Sequence, residues 1–294
     1  MVSVSDAVVV GLLQMQASPE PQVNLEHAVA GIRHLAAQGA QIICLQELFH
    51  SGYFCQQEDT ACFRLAEPIP GPTTEALGVL AAELEVVLIV PLFEQRAPGL
   101  YHNSAVVFDA DGTRLGTYRK MHIPDDPEYY EKFYFTPGDL GYQSYVTRYA
   151  TIGVLICWDQ WFPEAARLTA LSGAQILFYP SAIGWHDHES PETARAQHAA
   201  WETIQRSHAI ANGVYVATVN RVGREGTVTF WGASFIAAPD GTLVARAPHD
   251  AETPLLATCD LTAIAQTRQN WPFLRDRRID TYAPLASRFL DHAS

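Results

Sequence analysis

The chain has 294 residues, of which 48% are hydrophobic and 17% are charged, so it is long enough to bury a substantial core. Its net charge of −13, without any basic run, argues against nucleic acid and anionic membrane surfaces as partners. No apolar run approaches the roughly 18 residues of a membrane helix, and the N-terminal residues lack the basic region and cleavage site of a signal peptide.

The first third of the chain predicts strands that alternate with helices. Buried strands are expected at residues 7–15, 41–45 and 86–93, because each is an almost unbroken apolar run. Apolar residues at helical spacing predict a helix over residues 25–35, and a second helix is expected at 73–85.

A hairpin and a long irregular segment follow. Residues 104–108 and 113–119 predict two strands joined by an Asp-Gly turn. Residues 121–141 are rich in Pro, Asp and Tyr and predict a loop. Loops of that length in a compact domain tend to be functional.

The central part of the chain again predicts strand–helix units. Strands are expected at 152–156, 175–179 and 214–219, and helices at 163–171 and 194–211.

The remaining segments complete the predicted architecture. Residues 182–192 predict a polar loop, 239–241 the turn of a second hairpin, and 255–260 a last strand before a short helix. Residues from Trp271 onward predict a tail that packs against another surface of the protein. No linker divides the chain, so a single domain over 1–294 with an α/β layered structure is expected.

Three polar residues follow predicted buried strands. Glu47 follows the second strand, Lys120 ends the hairpin, and Cys157 ends the strand at 152–156. The carboxyl ends of strands in such sheets are where sites assemble. Each residue also has a simpler interpretation: a surface carboxylate, a solvated lysine and a buried core thiol.

Together the three residues supply the groups that acyl transfer on a cysteine requires. Cys157 would be the nucleophile, and its place facing a helix start favours a thiolate. Glu47 could accept its proton. Lys120 and the backbone N–H of Trp158 could stabilise the oxyanion of a tetrahedral intermediate.

Four motifs in this chain resemble those of the carbon–nitrogen hydrolase (nitrilase) superfamily. They are LQELFHSGYF (45–54), YRKMHIPDD (118–126), YYEKFYFTPGD (129–139) and GVLICWDQWFPE (153–164). The resemblance runs over nearly the whole chain and implies a four-layer α-β-β-α sandwich whose subunits pair into a homo-oligomer. It implies the catalytic set Glu47, Lys120 and Cys157, a positioning role for Glu131, and no metal or organic cofactor. A simpler interpretation of Glu131 is an ion pair with Lys132 on a helix.

Within that superfamily, further segments resemble members that hydrolyse the ureido group of a small cationic compound. The loop after Lys120 carries acids, and Asp125 and Asp126 are candidates for binding an ammonium group, with Tyr130 as a wall of the channel. A solvated turn would explain the acids equally well. The alternative activity is that of a sister amidase acting on ω-amides or β-ureido acids, which would require an arginine or lysine for the substrate carboxylate.

Other classes of function are less well supported by the sequence. His186-Asp187-His188, with His198 and His208, could suggest a metal site, but no third ligand is evident. There is no Gly-x-Ser-x-Gly elbow of a serine hydrolase. The alternative from another class is a catalytically inactive relative that acts as a binding protein, and the intact set Glu47, Lys120 and Cys157 argues against it. Five cysteines without Cys-x-x-Cys spacing favour a reducing, cytoplasmic setting.

Overall fold

The computed structural model describes residues 6–290, and within that range the strands form two six-stranded sheets and one three-stranded sheet. The first sheet contains β1 (Ala7–Gln14), β2 (Ile42–Leu45), β3 (Val87–Ala97), β4 (Leu100–Phe108), β5 (Arg114–Arg119) and β15 (Thr253–Asp260). The second contains β6 (Ser144–Val146), β7 (Thr151–Val154), β8 (Ile176–Ser181), β10 (Tyr215–Asn220), β13 (Phe235–Ala237) and β14 (Leu243–Arg246). The smallest contains β9 (Gly184–His186), β11 (Val222–Glu225) and β12 (Val228–Trp231).

The two large sheets have matching topologies. Their strand orders are β15-β1-β2-β3-β4-β5 and β14-β13-β10-β8-β7-β6. In each sheet three neighbouring strands are parallel, namely β1-β2-β3 and β10-β8-β7, and antiparallel strands extend both edges.

Six α-helices lie in the described range. They are α1 (Pro21–Ala37), α2 (Pro72–Leu84), α3 (Glu131–Tyr134), α4 (Pro163–Leu171), α5 (Pro191–Asn212) and α6 (Thr262–Asn270). Four of them, α1, α2, α4 and α5, pack on the outer faces of the sheets. Short 3₁₀ helices lie at Phe54–Gln56, Thr60–Leu65, Cys157–Trp161, Ile279–Thr281 and Ala283–Ala286. None of the helices in the described range is both long and apolar enough to span a bilayer.

Strand β2 shows why the predicted strands have no polar face. Ile42 and Cys44 pack between the two sheets, whereas Ile43 and Leu45 pack against α1 and α2. Successive side chains of a strand point to opposite faces, so a strand buried on both sides reads as a continuous apolar run. Helices α4 and α5 pack in the same way on the outer face of the second sheet.

The glycine in the central apolar run marks the close approach of α4 to the second sheet. A Cβ atom at Gly153 would lie 2.2 Å from Cγ2 of Thr169 on α4. Only a residue without a side chain fits there. The layers are therefore helix, sheet, sheet and helix, and the predicted α-β-β-α sandwich is confirmed.

Several element predictions were wrong in detail. Part of the predicted loop at 182–192 is strand β9, which pairs with β12, and α5 begins at Pro191 rather than near 194. The strand predicted at 152–156 ends at Val154, because the Ile156 N–H donates to the Asp159 side chain instead of to a neighbouring strand. Short strands of this kind depend on pairing partners that are distant in sequence.

The C-terminal segment differs from expectation as well. Tyr282 and Leu285 lie beside α4 and α5, but Ile279, Leu285 and Phe289 leave most of their apolar surface exposed. The predicted packing of this tail is thus only partly present within one chain.

Candidate active site

The three polar residues that follow predicted strands converge in the interior. Glu47 comes two residues after β2, Lys120 directly after β5, and Cys157 three residues after β7. Their exposed fractions are 0%, 0% and 5%. The site thus combines two groups from the first sheet with one from the second.

The Lys120 ammonium lies between two carboxylates. Its Nζ is 2.8 Å from Oε1 of Glu47 and 2.7 Å from Oε2 of Glu131. Burial alone lowers the pKa of Lys120, but the charges of Glu131 and Glu47 outweigh it and hold that pKa well above its ordinary value. Lys120 therefore remains a cation and can stabilise developing negative charge.

The two oxygens of Glu47 have different surroundings. Oε1 accepts hydrogen bonds from Lys120 Nζ and from Asn103 Nδ2, which is 2.7 Å away. Oε2 is buried, and no donor among residues 6–290 is within hydrogen-bonding distance of it. A buried acceptor without a partner destabilises the fold, so its presence calls for a functional explanation. Oε2 is thus available to receive a proton from a reacting group.

Glu131 begins helix α3 and is fixed from two sides. Its Oε1 accepts a hydrogen bond of 2.8 Å from the Tyr53 hydroxyl, and its Oε2 contacts Lys120. Burial raises the pKa of Glu131, while Lys120 opposes that rise. Glu131 therefore pairs with Lys120 and not with Lys132.

The backbone at Cys157 is strained, and burial of the thiol disfavours its charged form. Cys157 has φ of +42°, in the left-handed region that residues with a side chain rarely adopt. Burial, followed by the charge of Glu47, raises the pKa of the thiol well above its ordinary value, and Lys120 opposes this only in part. The sequence analysis expected the start of α4 to favour a thiolate, but α4 starts six residues after Cys157, and burial acts in the opposite direction.

Asp159 holds the turn that carries Cys157. Its carboxylate accepts hydrogen bonds from the Ile156 N–H at 2.9 Å, the Tyr118 hydroxyl at 2.7 Å and the His122 N–H at 3.0 Å. Carboxylates that accept several such bonds are strong anchors. The turn is therefore fixed to the first sheet through Tyr118 on β5.

Arg221 holds the segment that carries Glu47, and the sequence analysis missed it. Its guanidinium donates to the carbonyls of Glu47 at 3.1 Å, Leu48 at 2.8 Å and Ser51 at 3.0 Å. It also pairs with Glu225 at 2.8 Å and is fully buried. An arginine two residues after the apolar strand predicted at 214–219 was the available signal.

A cavity of about 470 Å³ opens in front of Cys157. Its walls combine aromatic, acidic and small residues, including Tyr129, Trp158, Trp161, Glu189 and Trp231. Trp158, whose N–H is the expected oxyanion donor, follows Cys157 in the same 3₁₀ turn. These five residues come from four separate segments of the chain that meet at one opening.

The structure separates the predicted substrate-binding residues. Asp125 and Asp126 are both exposed to solvent, but only Asp126 lines the cavity. Tyr130 is also absent from the cavity wall, and Tyr129 occupies that wall instead, with its hydroxyl 3.1 Å from the Gly184 N–H. Consecutive residues in a turn point in different directions, so the composition of this loop could not separate them.

The five polar residues of the histidine-rich region do not form one cluster. His186 and His188 line the cavity. His198 packs among aromatic rings, and burial lowers its pKa to about 4. His208 is buried elsewhere, where its ring contacts the Gln160 carbonyl at 2.8 Å. Asp187 pairs with Arg224 at the surface.

A thiol, a carboxylate and an ammonium group buried together at the strand ends supply the groups that acyl transfer on a cysteine requires. The carbon-nitrogen hydrolase family model matches residues 9–269. The chain belongs to the carbon–nitrogen hydrolase family.

Individual relatives agree with this assignment. An N-carbamoylputrescine amidase of Arabidopsis thaliana is 46% identical over 95% of this chain and 95% of its own length. A citrullinase of Francisella tularensis is 39% identical over 95% of this chain and 98% of its own. The crystal structure of a carbon-nitrogen hydrolase from Helicobacter pylori G27 has a TM-score of 0.94 and 46% identity, covering 97% of this chain and 100% of that one.

The contacts of Arg221 predict a selective loss of turnover when they are weakened. In Arg221→Lys, a single ammonium cannot reach all three carbonyls, so Glu47 should shift and kcat should fall by about 10- to 100-fold. KM should change little, because Arg221 does not line the cavity. The matched control is Arg224→Lys, at an exposed position three residues along. An unchanged kcat in a folded Arg221→Lys protein would exclude this positioning role.

The electrostatics of Cys157 predict a shift in its pH profile. Since the charge of Glu47 contributes to the raised pKa of the thiol, Glu47→Gln should move the midpoint of Cys157 alkylation by iodoacetamide to lower pH. Alkylation is followed by mass spectrometry of the Cys157 peptide, and the partly exposed Cys62 serves as an internal reference. A midpoint that stays constant or rises would contradict the proximity of Glu47 to the sulfur.

Proposed function

We propose that this enzyme hydrolyses N-carbamoylputrescine to putrescine, carbon dioxide and ammonia, a step of polyamine synthesis from arginine through agmatine. The observation that carries the proposal is the charge of the cavity in front of Cys157. Asp126 and Glu189 line it, whereas none of the described residues on its wall is a lysine or arginine. A substrate with an ammonium tail gains favourable charge interactions there.

The same cavity disfavours the alternative substrates. A β-ureido acid or a carbamoyl amino acid carries a carboxylate, which would lie near acids without a basic partner. Citrulline carries both an ammonium group and a carboxylate, so the charge of the cavity excludes it less clearly than the other alternative substrates. The N-carbamoylputrescine amidase of Arabidopsis thaliana, at 46% identity over nearly the full length, supports the cationic substrate.

Catalysis begins with the neutral thiol. Glu47 takes the Cys157 proton on Oε2 while the sulfur attacks the ureido carbon, and Lys120 and the Trp158 N–H stabilise the oxyanion. Glu47 then gives that proton to the leaving nitrogen, and ammonia departs. An alkylcarbamoyl group remains bound to the sulfur.

The second half of the reaction uses the same carboxylate. Glu47 takes a proton from water, whose oxygen attacks the thioester-like carbon, and the proton then returns to sulfur as the C–S bond breaks. The released carbamate decomposes to carbon dioxide and putrescine. Glu131 contributes by holding Lys120 in place, and no step requires a metal or an organic cofactor.

Further properties of the protein are proposed on the same basis. Two large sheets that share one core support a single carbon–nitrogen hydrolase domain over 1–294. All five cysteines are unpaired, which supports a reducing location such as the cytoplasm. The exposed apolar residues Ile279, Leu285 and Phe289 support a homo-oligomer, a dimer or larger. The net charge of −13 gives no support for nucleic acid as a partner.

A substrate panel tests the proposed activity directly. Ammonia release should be compared for N-carbamoylputrescine, N-carbamoyl-β-alanine, citrulline and a simple aliphatic amide. The value of kcat/KM should be highest for N-carbamoylputrescine by about tenfold or more, because hydrogen bonds to charged groups contribute about 1.5–3 kcal/mol. Cys157→Ala should abolish turnover of every substrate. A preference for citrulline or the β-ureido acid would refute the substrate assignment, and activity in Cys157→Ala would refute the nucleophile.

Neighbouring aspartates provide a matched test of ammonium recognition. Asp126→Asn removes a charge from the cavity wall and should raise KM for N-carbamoylputrescine by about tenfold. The uncharged analogue butylurea should be much less affected. Asp125→Asn removes the same charge from the exposed neighbour and should leave KM for both compounds unchanged. Equal effects on the charged and uncharged compounds would exclude Asp126 as an ammonium-binding residue.

A further inference from the structure

Three possible metal ligands converge at the cavity that contains Cys157. The donor atoms of Glu128, His186 and His188 all lie within 4.8 Å of one another. His186 ends strand β9 and His188 follows two residues later, and both line the cavity. Glu128 comes from the long loop after β5, which supplies the third ligand that the sequence did not reveal.

The surroundings hold two of these side chains in place. Glu128 has φ of +64°, and its Oε1 accepts a hydrogen bond of 2.7 Å from the Thr227 hydroxyl. Its Oε2 contacts Nδ1 of His186. The His186 ring also packs edge-on against Tyr129, with centroids 5.3 Å apart. Hydrogen bonds of this kind orient ligands before a metal binds.

We propose that Glu128, His186 and His188 bind a divalent transition-metal ion such as Zn²⁺ at the entrance of the catalytic cavity. Two imidazole nitrogens and one carboxylate oxygen suit Zn²⁺, whereas Mg²⁺ and Ca²⁺ prefer oxygen ligands alone. Bonds of about 2.0–2.2 Å to a tetrahedral ion place its ligand atoms about 3.4 Å apart. Small rotations of the three side chains bring their donor atoms to that spacing. To bind the ion, His186 gives up its Nδ1 contact with Glu128 and coordinates through Nδ1 as the neutral ring with its proton on Nε2, and water completes the coordination.

Metal binding inhibits the enzyme. The ion adds two positive charges beside Asp126 and Glu189, on the wall that we propose attracts an ammonium group. A cationic substrate is then repelled, so inhibition should be competitive. This consequence rests on the proposed function, but binding of the metal itself does not.

Zinc binding is measured without any substrate. Isothermal titration of ZnCl₂ into untagged Cys157→Ala protein excludes the catalytic thiol as a ligand and should show one saturable site. His188→Ala and Glu128→Gln, each in that background, should weaken affinity by about tenfold or more. Asp187→Asn is the matched control, because Asp187 lies between the two histidines but pairs with Arg224, and it should bind normally. Absence of saturable binding, or equal affinity in all variants, would overturn the site.

Inhibition is tested separately in protein that retains Cys157. Zinc should raise the apparent KM for the best substrate of the panel, and the concentration that inhibits by half should increase by about tenfold or more in His188→Ala. Inhibition that is identical in His188→Ala would show that zinc acts on the thiol, and would overturn the inhibitory role even if titration detects the site. If the panel identifies another substrate, the titration still decides whether the metal binds.

Discussion

The site depends on a lysine ammonium that is completely removed from water. Transfer of one such charge into the interior costs several kcal/mol, and the cost is offset only when opposite charges lie in direct contact. Glu47 and Glu131 provide that contact at 2.8 and 2.7 Å. Removal of either carboxylate would leave a deficit of negative charge around a cation that cannot reach solvent. The three side chains therefore act as one electrostatic unit that joins β2, β5 and α3.

The unit of Glu47, Lys120 and Glu131 must also be positioned correctly relative to the sulfur of Cys157, which follows a strand of the second sheet. Two hydrogen-bonded links connect the sheets close to the site. Tyr118 on β5 donates to Asp159 in the Cys157 turn, and Arg221, after β10, donates to the backbone around Glu47. Each link runs from one sheet to the reactive segment of the other. The relative position of base and nucleophile is thus fixed by buried polar contacts in addition to the apolar core between the sheets.

The sequence predicted the parts of this arrangement that are encoded locally. Apolar runs identified the strands that are buried on both faces, and the residues just beyond them, Glu47, Lys120 and Cys157, do meet in the interior. Arg221 was not found, because its partners near residue 47 lie more than 170 positions away in the chain. Asp125 and Asp126 could not be separated by composition, since only the conformation of the loop decides which one faces the cavity. The sequence indicated both a helix start that favours a thiolate and a buried strand that disfavours it, and composition alone could not decide which effect is larger.

Two residues at the reacting groups have backbone conformations in the left-handed region. Cys157 has φ of +42°, and Leu48, directly after Glu47, has φ of +49°. Each such residue costs about 1–2 kcal/mol relative to ordinary backbone conformations. Neither conformation would persist in an isolated peptide of the same sequence, so both reacting groups are held in orientations that the rest of the molecule imposes. Catalytic competence is in that sense a property of the whole sandwich, and a short segment grafted onto another scaffold would carry the residues without their geometry.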